Sequence, residues 1–168
     1  MRRAAPSGSI SVRQHPRPAP FRSASVRSLV RRALGALRAA GLQGPGAADI
    51  RILVVGDEEM ARWNGEFLGR PRTTNVISFP EEETPDSPPA RMAGDILVSA
   101  PTGLRQTRGW PGTPEERIFY FILHGMLHLL GFDHEKGPAA ARRMRSLERD
   151  VYGSVVPAAA ARGGRRRD

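Results

Sequence analysis

The chain contains no cysteine among its 168 residues. Disulfide bonds, iron–sulfur clusters and zinc sites built on thiolates are therefore excluded, and nothing supports secretion. No apolar run approaches the roughly 18 residues that a membrane-spanning helix needs, and the N-terminus lacks the apolar stretch of a signal peptide. These absences predict a cytoplasmic protein without a membrane partner, and the length predicts a single folded domain.

Lysine is also scarce, since 25 of the 26 basic residues are arginine. Residues 1–48 hold nine arginines and no acidic residue, and four more arginines lie in residues 162–168. The positive charge is thus concentrated at the two ends, around a nearly neutral body. Basic ends commonly contact nucleic acid, although an arginine bias is also typical of GC-rich genomes. We predict disordered tails at residues 1–8 and 157–168 and one domain at residues 9–156.

Histidine is rare as well, yet three of the four histidines lie within the segment HGMLHLLGFDH. His124 and His128 are four residues apart and therefore share one face of a helix. Gly131 is placed to end that helix in a left-handed cap, so that His134 can return from the following turn. Three imidazoles leave one tetrahedral position for water or substrate, which predicts a catalytic site for one Zn²⁺ ion.

Some details of this site stay open at the level of sequence. Asp133 or Glu135 could supply a fourth ligand, which would make the site closed and structural. Imidazole ligands also suit nickel, copper or iron. Asp133 is predicted to orient a ligand histidine or, alternatively, to act as a base. The remaining histidine, His15, is predicted to have no metal role.

The hydrophobic pattern predicts an α+β fold in which a small mixed sheet packs with helices. The helix that carries His124 and His128 is apolar almost all round, so that we expect it to be buried at the centre of the fold. Strands are predicted at residues 9–14, 49–55, 75–79 and 95–99. Helices are predicted at residues 25–41, 57–67 with Asp57 as the capping residue, 102–108, 115–130 and 138–153.

Several segments resemble one known family. HGMLHLLGFDH resembles the signature of the YbeY endoribonucleases, bacterial zinc-dependent proteins that act on ribosomal RNA. The resemblance extends over about residues 48–152, where further segments follow in the family's order. These are residues 57–64, the strand TTNVISFP (Thr73–Pro80), the strand start Gly94-Asp95-Ile96, and Met144, Leu147 and Glu148 of the last helix.

The resemblance implies a zincin-like, metal-dependent hydrolase domain. It implies a single-strand-specific endoribonuclease that acts in ribosomal RNA processing, at the 3′ end of the small-subunit RNA, and in ribosome quality control. Zinc held by the three histidines would be the cofactor. Single-stranded ribosomal RNA and ribosomal subunits would be the partners, with no DNA expected.

One position departs from the family. Its members usually carry an arginine linked to activity where this chain has Leu68. Arg70 or Arg72 could reach the same space, because an arginine side chain is long. Arg70, Arg72 and Asp133 are therefore the candidate catalytic residues.

Two other functions fit parts of the pattern. Metzincin proteases share the spacing His-x₃-His-x₅-His, but they carry a glutamate base directly after the first histidine, where this chain has Gly125. Peptide hydrolysis needs such a group to expel the amine, so that a protease is disfavoured. A ribosome-associated RNA-binding assembly factor with a mainly structural metal is the second alternative, which Leu68 favours. In the enzyme, either water or the RNA 2′-hydroxyl could attack the phosphate.

Overall fold

The computed structural model describes residues 8–15, 22–43, 48–82 and 91–157. The two predicted tails lie outside this part of the chain, apart from Gly8 and Pro157. Within it, the strands are β1 (Ile10–His15), β2 (Asp49–Val55), β3 (Val76–Pro80) and β4 (Ala93–Ser99). The helices are α1 (Ser23–Ala39), α2 (Asp57–Leu68), α3 (Ala100–Gln106), α4 (Pro114–Leu129) and α5 (Pro138–Val155), with a 3₁₀ turn at His134–Lys136 between the last two.

The four strands form one mixed sheet in the order β1-β2-β4-β3. β1, β2 and β4 run parallel, and β3 pairs antiparallel with β4 at the edge. Helix α1 makes the crossover between the parallel strands β1 and β2, as parallel pairing requires. The predicted α+β fold with a small mixed sheet is confirmed.

The sheet buries both of its faces, but unequally. On one face, Ile50, Ile52 and Ile96 of the sheet join the main core together with α1, α4 and α5. On the other, α2 covers a small cluster of Val55, Met60, Ile77 and Leu97. Most of α4 is inaccessible to solvent, as its all-round apolar pattern predicts. Among the described residues, no helix is both long and apolar enough to cross a membrane.

The N-termini of α4 and α2 differ in how their first backbone N–H groups are capped. At α4, Thr113 and Glu116 form a reciprocal capping box, in which each side chain accepts a hydrogen bond from the other residue's backbone N–H. At α2, the N-cap is Gly56, and the prediction that Asp57 caps this helix is wrong. The Asp57 carboxylate turns instead to hydroxyl groups on neighbouring elements.

Asp57 accepts hydrogen bonds from the hydroxyls of Ser99 at 2.5 Å and Thr102 at 2.6 Å, and it pairs with Arg105 at 2.7 Å. Burial alone would raise the pKa of Asp57, but these three partners outweigh it and lower the pKa to about 2. The Thr73 hydroxyl donates to the same carboxylate at 3.2 Å, so that Asp57 has four partners outside its own helix end. It ties α2 to the junction of β4 and α3.

Helix α4 lies very close to the sheet at Gly125. A Cβ atom added there would lie 2.8 Å from Ser78 Oγ and 2.9 Å from Ile96 Cγ2. Ile96 is fully buried in the core. Only glycine therefore lets the histidine-bearing turn of α4 rest directly on β3 and β4.

We predict that Gly125→Ala destabilises the protein by about 1–2 kcal/mol, because overpacking outweighs the better helix propensity of alanine. Gly35→Ala is the matched control, since Gly35 lies in α1 with no atom within 4 Å of its added Cβ. That change should stabilise by about 0.5–1 kcal/mol. Urea denaturation measures both. Equal effects of the two substitutions would contradict the close approach at Gly125.

Candidate metal centre and cleft

His124 and His128 lie on the same face of α4, near its C-terminal end, as their spacing predicts. Their Nε2 atoms are 3.1 Å apart, and their ring centroids are 4.7 Å apart. Two nitrogen ligands on one tetrahedral zinc ion are separated by about 3.3 Å, given Zn–N bonds of about 2.0–2.1 Å. The pair is therefore spaced to share a metal ion.

His134 joins the pair through the turn that follows α4. Gly131 adopts a φ of 83°, and the hydrogen bonds of a Schellman motif close the turn around it. The predicted glycine cap is thus confirmed. The reversal brings the His134 ring to 5.1 Å from that of His124 and 5.2 Å from that of His128, measured between centroids.

The donor set of this cluster fits a transition metal. The ligand nitrogens of His124, His128 and His134 all lie within 4.8 Å of one another, and neither Asp133 nor Glu135 belongs to the group in the described part of the chain. Imidazole nitrogen suits zinc and related metals rather than magnesium or calcium. Three protein ligands leave one position open, which is the pattern of catalytic zinc sites.

A buried carboxylate from α5 stands behind the first of these ligands. Glu148 is 4% exposed, and its Oε1 is in hydrogen-bond contact with Nδ1 of His124. A carboxylate only accepts, so that Nδ1 of His124 carries the proton and Nε2 keeps its lone pair for a metal. The Tyr120 hydroxyl donates to the other carboxylate oxygen at 3.4 Å. Glu148 thus fixes the tautomer and orientation of His124.

The role of Glu148 was not predicted, although the sequence contains a signal for it. Met144, Glu148 and Val151 occupy successive buried positions of α5, so that an acidic residue interrupts an otherwise apolar stripe. A buried carboxylate needs a partner that offsets its desolvation. In a chain that also carries a histidine cluster, such an interruption indicates a carboxylate that supports one of the histidines.

The surroundings of His128 favour the form that binds metal. Burial is the main cause that lowers its pKa, and the neighbouring His124 and His134 lower it further, against a smaller opposite effect of Asp133. A lowered pKa keeps the imidazole neutral at neutral pH. Neutral imidazole is the metal-binding species.

The histidines open onto a cleft of about 800 Å³. All six predicted site residues line it, namely His124, His128, His134, Arg70, Arg72 and Asp133. Leu68 lines it too, with 52% of its surface exposed. The fold therefore brings to one cavity residues that lie more than fifty positions apart in the sequence.

Asn64 holds the backbone of the segment that carries both arginines. Its side-chain amide donates to the backbone carbonyl of Arg72 at 2.7 Å. Its backbone carbonyl accepts a hydrogen bond from the backbone N–H of Arg70 at 3.1 Å. Asn64 itself is buried. Pro71 packs on α2 so closely that a Cβ on Gly65 would lie 3.3 Å from it. The arginine backbone is therefore fixed, while both guanidinium groups remain exposed.

Asp133 shapes the turn that presents His134. Its Oδ1 accepts a hydrogen bond from the Glu135 N–H at 2.9 Å and so caps the 3₁₀ turn that begins with His134. In the described part of the chain, the carboxylate that accepts a hydrogen bond from a ligand histidine is that of Glu148. Asp133 acts on the cluster through its charge and through this cap.

The sequence was compared with known families and proteins. A sequence profile described as endoribonuclease YbeY matches residues 11–155. The chain belongs to this family. It is 38% identical to the endoribonuclease YbeY of Chloroflexus aurantiacus over 130 aligned residues. The alignment covers 73% of this chain and 82% of the relative. For the relative from an Anaeromyxobacter species, the identity is 39% over 153 residues, with 90% and 74% covered. The resemblance drawn from the motifs is thereby confirmed.

Two further proteins are matched over more of their own length. The endoribonuclease YbeY of Geobacter metallireducens is 34% identical over 146 residues, covering 85% of this chain and 93% of the relative. A Thermotoga maritima protein with a known solution structure aligns with a TM-score of 0.57 at 21% identity, over 93% of this chain and all of the other. This last similarity supports the fold alone.

We predict that Glu148→Gln weakens zinc binding about tenfold, because the neutral amide no longer raises the basicity of His124. Competition with a chromophoric chelator measures the affinity. Asp150→Asn is the matched control, since Asp150 is an exposed acid on the same helix. Equal zinc affinity of both variants and the wild type would rule out a role of Glu148 in metal binding.

Proposed function

We propose that the protein is a zinc-dependent, single-strand-specific endoribonuclease that acts on ribosomal RNA. Within that activity, we assign it to maturation of the 3′ end of the small-subunit RNA and to ribosome quality control, in the cytoplasm and in contact with ribosomal subunits. Membership of the endoribonuclease YbeY family supports the nuclease class. The observation that carries the proposal is the cluster of three histidines with an open side toward an arginine-lined cleft.

His124, His128 and His134 would hold one zinc ion. When bound, zinc would supply Lewis-acid stabilisation of the negative charge that builds up on the phosphate. Neutral imidazoles contribute no charge of their own, so that the zinc-loaded site would keep the positive charge of the ion. That charge would attract an anionic phosphodiester. Glu148 keeps His124 in the tautomer that this requires.

Arg70 and Arg72 would bind the RNA backbone. Both are exposed on the wall of the cleft, and their backbone is fixed by Asn64. Guanidinium groups form strong, charge-assisted hydrogen bonds to phosphate oxygens. These residues would orient the phosphodiester against the histidine cluster in place of the arginine that Leu68 replaces. Asp133, which also lines the cleft, would act as proton acceptor or hold the turn of His134.

RNA is a better substrate for this site than a peptide. The position directly after His124 is Gly125, which lies against Ser78 and Ile96 without space for any side chain. A glutamate base at this position is therefore incompatible with the packing of α4. Cleavage of a phosphodiester depends less on such a group, because charge stabilisation supplies much of the catalysis.

We predict that His128→Ala reduces cleavage of a labelled single-stranded fragment of small-subunit ribosomal RNA by at least about a hundredfold. Chelation should abolish the activity of the wild type, and added zinc should restore it. His15→Ala is the matched control, because His15 ends β1 and belongs to no metal cluster. Circular dichroism verifies that each variant is folded.

A folded, zinc-loaded wild type that binds the fragment without cutting it would contradict the proposal. That outcome would favour the assembly factor with a structural metal, which the exposed Leu68 in the cleft already makes a coherent alternative. Cleavage of unfolded protein and not of RNA would instead indicate a protease.

We predict that Arg70→Ala or Arg72→Ala lowers kcat/KM for the same fragment about tenfold or more, since a charged hydrogen bond to phosphate is lost. Arg62→Ala is the control, because Arg62 lies exposed on α2 and pairs with Glu59. If kcat/KM is unchanged in both arginine variants while Leu68→Arg raises it, neither Arg70 nor Arg72 has taken over the role of the family's arginine.

A further inference from the structure

The cleft continues beyond the histidines onto α5. A second cavity of about 290 Å³ shares His124 and His134 with the cleft and reaches Arg145. A third, of about 800 Å³, shares Arg145 and is lined further along by Trp110, Arg142 and Arg149. Shared lining residues thus make the three cavities neighbours in a row, here called the path, that leads away from the metal centre.

The path is basic because of one row of arginines. Arg142, Arg145 and Arg149 are spaced three and four residues apart and therefore lie on one face of α5, and all three are exposed. In the described part of the chain, Arg142 and Arg145 form no ion pair, while Arg149 contacts Asp150 at 3.2 Å. Glu148, the acid within this row, is buried and committed to His124.

Trp110 adds an aromatic surface at the far end of the path. It is 43% exposed, and its ring meets that of Tyr120 edge-on, at 5.1 Å between centroids and 75° between planes. In an edge-to-face pair this neighbour meets at most one face of the indole. Single-strand binding proteins combine such exposed rings with basic grooves, because unpaired bases stack on them.

We propose that Arg142, Arg145, Arg149 and Trp110, here called the α5 surface, bind the single-stranded RNA that flanks the scissile phosphodiester on one side. The inference rests on the proposed nuclease function and adds a substrate-binding surface outside the histidine cleft. Arg142 and Arg149 lie about 10 Å apart along the helix, a span of about three stacked nucleotides. The arginines contact phosphates, and Trp110 stacks on a base.

The first test compares two triple variants of the full chain. The α5 triple variant changes Arg142, Arg145 and Arg149 to alanine. The control triple variant changes three arginines of α1 to alanine, and these line none of the three cavities: Arg31, Arg32 and Arg38. Binding of a fluorescein-labelled 12-nucleotide oligouridylate is followed by anisotropy at several salt concentrations. The α5 triple variant should bind at least about tenfold more weakly, and its log–log salt slope should fall by about 2, at about 0.7 for each lost phosphate contact.

The second test separates stacking from charge. Trp110→Ala should weaken binding about tenfold with an unchanged salt slope, since a stacking contact releases no counterion. In the Trp63→Phe background, the fluorescence of Trp110 should be quenched by the oligonucleotide. A duplex of the same length should compete poorly, because its bases are already stacked.

Defined outcomes overturn the inference. Equal weakening by the two triple variants would show a general charge effect, and unchanged binding by the α5 triple variant would remove the surface altogether. Equal competition by duplex would contradict the single-strand assignment. Binding is measured in the presence of a chelator, which prevents cleavage. A wild type that binds through the α5 surface but does not cut when zinc is restored would therefore refute the proposed nuclease function alone. Cleavage with an unchanged KM in the α5 triple variant would refute this inference alone.

Discussion

The candidate site depends on one close approach, that of α4 to the edge of the sheet at Gly125. This glycine lies between the two histidines of the helix, and the space of its missing side chain is filled by Ser78 of β3 and Ile96 of β4. The contact sets the depth at which His124 and His128 meet the cleft. It also places them beside β3, whose preceding segment carries Arg70 and Arg72.

Helix α5 serves the site with both of its faces. Its buried face packs in the main core and carries Glu148 to Nδ1 of His124, so that the packing of an apolar stripe also sets the protonation of a metal ligand. Its exposed face carries the arginine row that continues the cleft. If the proposed zinc site and α5 surface are both in use, a shift of α5 would change zinc affinity and RNA binding together, because one helix bears both groups.

The segment between α2 and β3 holds two arginines at the cleft independently of the side chain at position 68. Leu68 cannot bind phosphate, yet Asn64 fixes the two arginines that follow it at the rim of the same cavity. The anchoring uses backbone atoms of the loop and a buried amide, and neither depends on which side chain stands at position 68. The proposed transfer of the arginine role to Arg70 or Arg72 therefore requires no change in the backbone of the loop.

The sequence by itself determined the three histidines, the α+β class and nearly every helix and strand, because these follow from periodicity and from local turn chemistry such as Gly131. It also placed the family, whose motifs are local runs of residues. Only the tertiary structure decided which acid supports His124, what Asp57 binds and how the arginine row of α5 joins the cleft. Those contacts bring together residues distant in the chain, such as Asp57 with Ser99 and His124 with Glu148. A buried carboxylate takes the donors that the packed fold supplies, and local sequence does not specify them.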